Sequence, residues 1–155
     1  MSNSTIKNKI EVLRNVEIFK DFTDYVLKSI ADVLEEVEVK KGDNIVTKGE
    51  EGRCMYILFE GKAKIHDDEV KIADVEAVSI IGEMALLTSE PRNATITVTE
   101  NAKLLLLNQN AFELISEDNV DFYKSIVKIL IKKLQTQNNE LIEFSRNARK
   151  ILASV

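Results

Sequence analysis

Between Gly82 and Thr95 the chain reads Gly-Glu-Met-Ala-Leu-Leu-Thr-Ser-Glu-Pro-Arg-Asn-Ala-Thr, which sets a carboxylate, Glu83, and a guanidinium, Arg92, on either side of a short turn. Met84, Ala85, Leu86 and Leu87 suit one helical turn, Ser89-Glu90-Pro91 ends it, and Ala94 to Val98 is a β-branched strand. A helix N-terminus there faces a strand that carries Arg92. Unpaired N–H groups at such an N-terminus attract anions, and an arginine fork adds charge-assisted hydrogen bonds to phosphate or carboxylate oxygens. A carboxylate fits such a pocket when the ligand has two different ends: Glu83 can accept from a sugar hydroxyl while Arg92 pairs with a phosphate. The small residues Gly82, Ala85 and Ala94 let backbone come close to a ligand. The same residues also allow a ligand-free arrangement, an internal Glu83–Arg92 ion pair that ties the helical turn to the strand.

These residues carry a resemblance. The segment is similar to the phosphate-binding cassette of cyclic nucleotide-binding domains, roughly Phe-Gly-Glu-(apolar)-Ala-Leu, a variable turn, then Pro-Arg-(small or polar)-Ala-Thr, with Ile81 in place of the leading aromatic. The resemblance implies that Glu83 receives the ribose 2′-hydroxyl, that backbone N–H groups around Met84, Ala85, Asn93 and Ala94 lie near the cyclic phosphate, and that Arg92 pairs with it. Gly82 opens this set. The likeness runs from about Ile18 to Leu134 and includes the Lys48-Gly49-Glu50 turn, the Tyr56-Ile57-Leu58 strand before Gly61, and Phe112. Glu76-Ala77-Val78-Ser79 departs from it where relatives commonly have a glycine-containing turn.

Stepping outward from the cassette, 155 residues with 45% hydrophobic content suit one domain with a single core. A net charge of -5 disfavours a nucleic-acid surface, which normally shows a basic patch. One cysteine, Cys54, and one histidine, His66, make no metal-ligand cluster and leave little for an enzyme, so neither a metal, a cofactor nor a catalytic residue is expected. Cys54 is read as a small buried apolar residue and His66 as an exposed strand end. The N-terminus lacks a signal-peptide pattern and no apolar run is long enough to cross a bilayer, so a cytoplasmic protein without membrane insertion is expected.

Apolar spacing predicts a helix over Ile6 to Val16 and a second from Thr23-Asp24 to Leu34. From Val37 the period changes to two. Val37 to Val39, Ile45 to Thr47, Met55 to Phe59, Ala63 to Ile65 and Val70 to Ala73 read as short strands, with Glu60-Gly61 a turn, and all five glycines fall at strand junctions. About eight short strands flanked by helices predict a mainly β (α+β) fold, a jelly-roll-like β-roll. The expected division is 1–35 for N-terminal helices, 36–108 for the roll with its cassette at 81–95, and 109–155 for C-terminal helices. Ile65 and Ile72, predicted to point into the roll, are candidate apolar contacts for ribose and base or simple core residues.

The last stretch, from about Val120 to Ala153, has neither proline nor glycine. Tyr123, Val127, Leu130, Leu134, Gln137, Leu141, Phe144, Ala148, Ile151 and Val155 follow alternating steps of four and three, a heptad seam. A parallel homodimer with Gln137 fixing register is the expectation, and packing back onto the N-terminal helices is the alternative. Counted without gaps from Arg92, the chain resembles the catabolite-activator branch of the family through Phe112, Asn119 and Lys132-Lys133-Leu134. In that branch the two positions matching Gln137 and Asn138 contact the nucleobase. The combined expectation is a stand-alone sensor of cAMP or cGMP, cAMP slightly favoured, that signals to an effector protein through its last helix. A ligand-free structural module with the same fold is the alternative.

Overall fold

A computed structural model describes residues 3–154, without the side chains of residues 3–5 and 18. The chain opens with α1 (Asn3–Asn15), a 3-10 turn at Glu17–Phe19 and α2 (Asp24–Val33). The Thr23 hydroxyl accepts from Val26 N at 3.4 Å and caps α2, whose stripe of Leu27, Ile30 and Ala31 is buried. Arg14 of α1 pairs with Asp24 at the start of α2, an exposed ion pair over the apolar contact of the two helices.

Six antiparallel strands follow: β1 (Glu35–Val39), β2 (Asn44–Val46), β3 (Cys54–Asp67), β4 (Val70–Glu76), β5 (Ser79–Ile81) and β6 (Thr95–Asn108). They lie in the order β1-β6-β3-β4, with β2 also on β6 and β5 also on β3. The count is six rather than eight because β3 and β6 each run unbroken for 14 residues. Glu60-Gly61 is therefore a bulge and not a turn: the β3–β6 register shifts on both sides of it, and Gly61 has φ +92°. A Cβ at Gly61 would sit 2.4 Å from the Asn101 carbonyl oxygen. The glycine bends the strand around the roll where its sequence suggested an end.

Alternation along these bent strands builds two cores, because neighbouring residues of a strand face opposite sides. Leu58, Ala63, Val75, Ile96, Val98 and Leu104 fill the inside of the roll. Met55, Ile57, Leu105 and Leu107 turn outward and pack with Leu13, Phe19, Leu27, Leu34, Phe112 and Phe122 from the helices. Each fully buried side chain of this size contributes about 1.5–3 kcal/mol by removal from water. His66 is half-buried rather than an exposed strand end, with Nδ1 at 2.9 Å from the Asp68 carbonyl oxygen and Nε2 at 2.8 Å from Thr97 Oγ1.

Two short helices and one long one complete the chain: α3 (Glu83–Thr88), α4 (Gln109–Asp118) and α5 (Val120–Ala153). Asn108 caps α4 by accepting from Ala111 N at 2.9 Å, and Asn119 caps α5 by accepting from Phe122 N at 3.2 Å. The buried face of α5 is Phe122, Ser125, Ile126 and Ile129, with Phe122 against Phe19 and Phe112; the heptad seam runs one position further round, its Tyr123 44% exposed and its Val127 and Leu130 half-buried. Beyond Leu130 every described residue of α5 is exposed except the half-buried Ala148. The distal half thus does not fold back on the N-terminal helices. Val155, the last seam position, lies outside the described residues.

Candidate ligand-binding site

The cassette is a strand, a tight left-handed step and one and a half turns of helix. β5 ends at the buried Ile81, and Gly82 then takes φ 76° as the N-cap of α3. Only glycine enters that region without strain, and a Cβ there would also sit 2.3 Å from Arg92 Nη1. No side chain caps α3, so its first N–H groups remain available to an acceptor. Ser89, at φ 54°, closes the helix with its N–H on the Ala85 carbonyl at 3.2 Å.

Arg92 is braced twice. Its backbone exchanges hydrogen bonds with the Lys48–Glu50 turn, Arg92 N to Glu50 O at 2.9 Å and Gly49 N to Arg92 O at 2.9 Å. Its side chain, 9% exposed, donates from Nη1 to the Gly82 carbonyl at 3.1 Å and from Nη2 to the Cys54 carbonyl at 2.7 Å. Nη2 also lies 3.4 Å from Cys54 Sγ. A guanidinium has five N–H donors in a rigid fork, so Nε–H and the second Nη1–H stay free of these bonds. Cys54 is half-buried, not the closed-off apolar residue expected, because it faces this guanidinium. Burial, then the hydrogen bond of the neighbouring Cys54, pushes the Tyr56 phenol above its ordinary range.

Above Arg92 opens a cavity of about 780 Å³, bounded by the cassette, the roll and α5. Gly82, Glu83, Met84, Ala85, Arg92, Asn93 and Ala94 all line it, as do Ile65 and Ile72. Ile72 is 59% exposed on the edge strand β4, so core packing is not its role, while Ile65 is half-buried against the inner core. From α5 come Lys128, Ile129, Lys132, Lys133, Thr136, Gln137 and Glu140. Asn138 is exposed and is not part of the lining. At 3.6 residues per turn, Lys133, Thr136, Gln137 and Glu140 share the face turned to the roll, and Asn138 points about 100° away from Gln137.

Glu83 does not pair with Arg92. Only 3% exposed, it accepts a hydrogen bond at 2.7 Å from Lys133 Nζ, which also lies 3.4 Å from the Ile80 carbonyl oxygen. The internal Glu83–Arg92 bridge is thus not formed, and the two charged residues keep separate partners while both line one cavity. A carboxylate offers about four lone-pair sites, so this bond leaves room for a hydroxyl. Lys133 escaped the sequence reading as a site residue, where it figured only in the Lys132-Lys133-Leu134 segment. Its one available signal was that segment's place on the helix, 50 residues from Glu83. At the rim, a hydrogen bond from Lys20, reinforced by its charge and more weakly by Lys132, holds the exposed Glu17 carboxyl below the usual range.

This geometry agrees with what the chain is similar to. The profile of the cyclic nucleotide-binding domain matches residues 36–119. A cAMP-dependent protein kinase regulatory subunit of Dictyostelium discoideum is 32% identical over 122 residues, covering 72% of this chain and 37% of the relative. The cGMP-dependent protein kinase 2 of Mus musculus is 30% identical over 149 residues, covering 92% of this chain but 19% of the relative. Both are therefore much longer than the matched region. Among solved structures, cAMP-bound PfPKA-R superposes with a TM-score of 0.76 at 27% identity, over 92% of this chain and 48% of that one. The matched profile spans more than half of the chain, takes in the whole cassette and continues to Asn119, and the chain belongs to the cyclic nucleotide-binding domain family.

Proposed function

We propose that this chain is a regulatory, non-catalytic receptor that binds a cyclic nucleotide in the cavity above Arg92, with cAMP ahead of cGMP. The carrying observation is that Arg92 and Glu83 line one cavity without pairing with each other: a guanidinium held by two backbone carbonyls with donors to spare, and a buried carboxylate bonded to Lys133 instead. A cyclic phosphate takes the first and the ribose 2′-hydroxyl the second. Asn93, Thr136 and Gln137 remain for the base; all three can donate and accept, and relatives are named for both nucleotides.

Lys133 connects the site to α5. A ribose hydroxyl arriving at Glu83 must share the carboxylate with this lysine, so the ligand biases the position of the helix. We infer that α5 carries the signal, to a second copy along the seam and to an effector protein. If Gln137 serves both base and seam, nucleotide and dimer stabilise each other by the same factor. The competing reading, a ligand-free module, has one observation in its favour, that Glu83 already has a partner. Calorimetric titration with cAMP and cGMP decides between them. Saturable 1:1 binding supports the receptor, and the absence of heat or thermal stabilisation at millimolar nucleotide supports the module.

A further inference from the structure

The distal half of α5 carries an apolar face with nothing of this chain against it: Leu134, Leu141, Phe144 and Ile151 are 58%, 63%, 71% and 66% exposed. We propose that this face pairs with the same face of a second copy running in the opposite direction, so that the end of each α5 lies beside the groove between α4 and α5 of the other. This rests on the dimer part of the function proposed above, and its direction is read without nucleotide.

Side-chain sizes favour that direction. Setting Leu134 of one copy against Gln137 of the other places Leu130 on Leu141, Val127 on Phe144, Tyr123 on Ala148 and Val120 on Ile151. Large then meets small where the parallel arrangement is worst matched, Phe144 on Val127 and Ala148 on Tyr123, as interdigitating side chains require. Run parallel, each layer meets itself: Ala148 on Ala148 leaves a gap, Phe144 on Phe144 crowds, and the amides of Gln137 face each other.

Charge favours it too. The corner where α4 meets α5 is acidic, with Glu113, Glu117, Asp118 and Asp121, and the last turns of α5 carry Arg146, Arg149 and Lys150 with no carboxylate after Glu143 among the described residues. Antiparallel pairing brings the acidic corner of one copy to the basic end of the other and opposes the two helix dipoles, whereas parallel pairing stacks like on like. The corner also has a place for the incoming end. A groove of about 310 Å³, lined by Phe112, Glu113, Ser116, Glu117 and Tyr123, opens beside the layer in which Tyr123 would meet Ala148. Its rings, Phe112 and Tyr123, lie 6.2 Å apart, and the neighbouring Leu114 is 59% exposed.

Cross-linking of the full chain tests the direction. In a Cys54→Ser background, Val120→Cys and Ile151→Cys each alter an exposed side chain, 61% and 66% accessible, so the fold is spared. The two positions lie about 46 Å apart along one helix. Mixed Val120→Cys and Ile151→Cys chains, oxidised with copper phenanthroline without nucleotide, are expected to form a disulfide-linked dimer, while Ile151→Cys alone stays unlinked. Self-linking of Ile151→Cys at higher yield than the mixture overturns the proposal in favour of parallel pairing. No link in either sample, with a monomer by sedimentation, overturns it as well. None of these results depends on cAMP binding, which is read separately by calorimetry.

Discussion

The two ends of the cavity are built differently. At the end proposed for the phosphate, Arg92 is held by backbone alone, the Gly82 and Cys54 carbonyls and the Lys48–Glu50 turn, none of it contributed by α5. At the sugar end, Glu83 is held by Lys133, a side chain 48% exposed, on a helix that leaves the body of the protein shortly afterwards. The first end is set by the fold; the second is conditional on where α5 lies. A site so divided can anchor a ligand by its charge and report the presence of its sugar.

The largest effect should come from breaking the fixed end. Arg92→Ala is expected to weaken cyclic nucleotide binding by about 2–5 kcal/mol, roughly one and a half to three and a half decades in affinity, measured by calorimetry. The variant should fold but melt lower, since it strands the Gly82 and Cys54 carbonyls at about 1–3 kcal/mol. Breaking the conditional end should cost less. Glu83→Ala is expected to lose about 1.5–3 kcal/mol for ligands with a ribose 2′-hydroxyl, the worth of a hydrogen bond to a charged group, and little for their 2′-deoxy analogues.

Lys133→Met sharpens the contrast, because it removes the tie between Glu83 and α5 and leaves both cassette residues in place. With the lysine half-exposed, the ion pair is worth at most about 1 kcal/mol, so nucleotide affinity should change less than about tenfold. The variant should instead blunt the ligand-induced change in hydrogen exchange along α5; an undiminished change would mean that the helix is coupled to the site by another route. The smallest effect concerns Tyr56, two residues after Cys54 on β3. The Tyr56 phenol is pushed above its ordinary value of 10.0, first by burial and then by its hydrogen bond to Cys54. Its stabilising contribution is present below the unfolded pKa and lost as pH rises through the folded one. Stability should fall above about pH 10 in the parent, and Tyr56→Phe should flatten that fall in denaturant melts recorded from pH 8 to 11.

The cassette was legible in the sequence because its parts are local. Gly82, Glu83, Ala85, Arg92 and Ala94 lie within one short stretch whose turn chemistry is carried by glycine, proline and a β-branched run, and all of them line one cavity, whereas the Cys54 carbonyl that braces Arg92 comes from 38 residues away. The conditional end was not, because Lys133 reaches Glu83 only through the way α5 crosses the roll. The same crossing angle turns Thr136 into the lining and Asn138 out of it, a distinction that an ungapped count along the chain does not make. In the fold, helix positions followed from apolar periodicity and caps such as Thr23. The strand count did not, since Gly61 in a bulge and glycine in a hairpin turn share the same sequence signal and differ only in what the partner strand does. On α5 two stripes compete, Phe122-Ser125-Ile126-Ile129 and the seam one position on; periodicity registers both, and only tertiary packing selects which one the roll covers.

The division between the two ends is tested most directly by calorimetric titration of cAMP and 2′-deoxy-cAMP into the parent, Arg92→Ala and Glu83→Ala. The account predicts that Arg92→Ala weakens both ligands by the same factor, whereas Glu83→Ala weakens cAMP alone and brings it level with its deoxy analogue. Equal losses for both ligands in Glu83→Ala, or full affinity in Arg92→Ala, would contradict it.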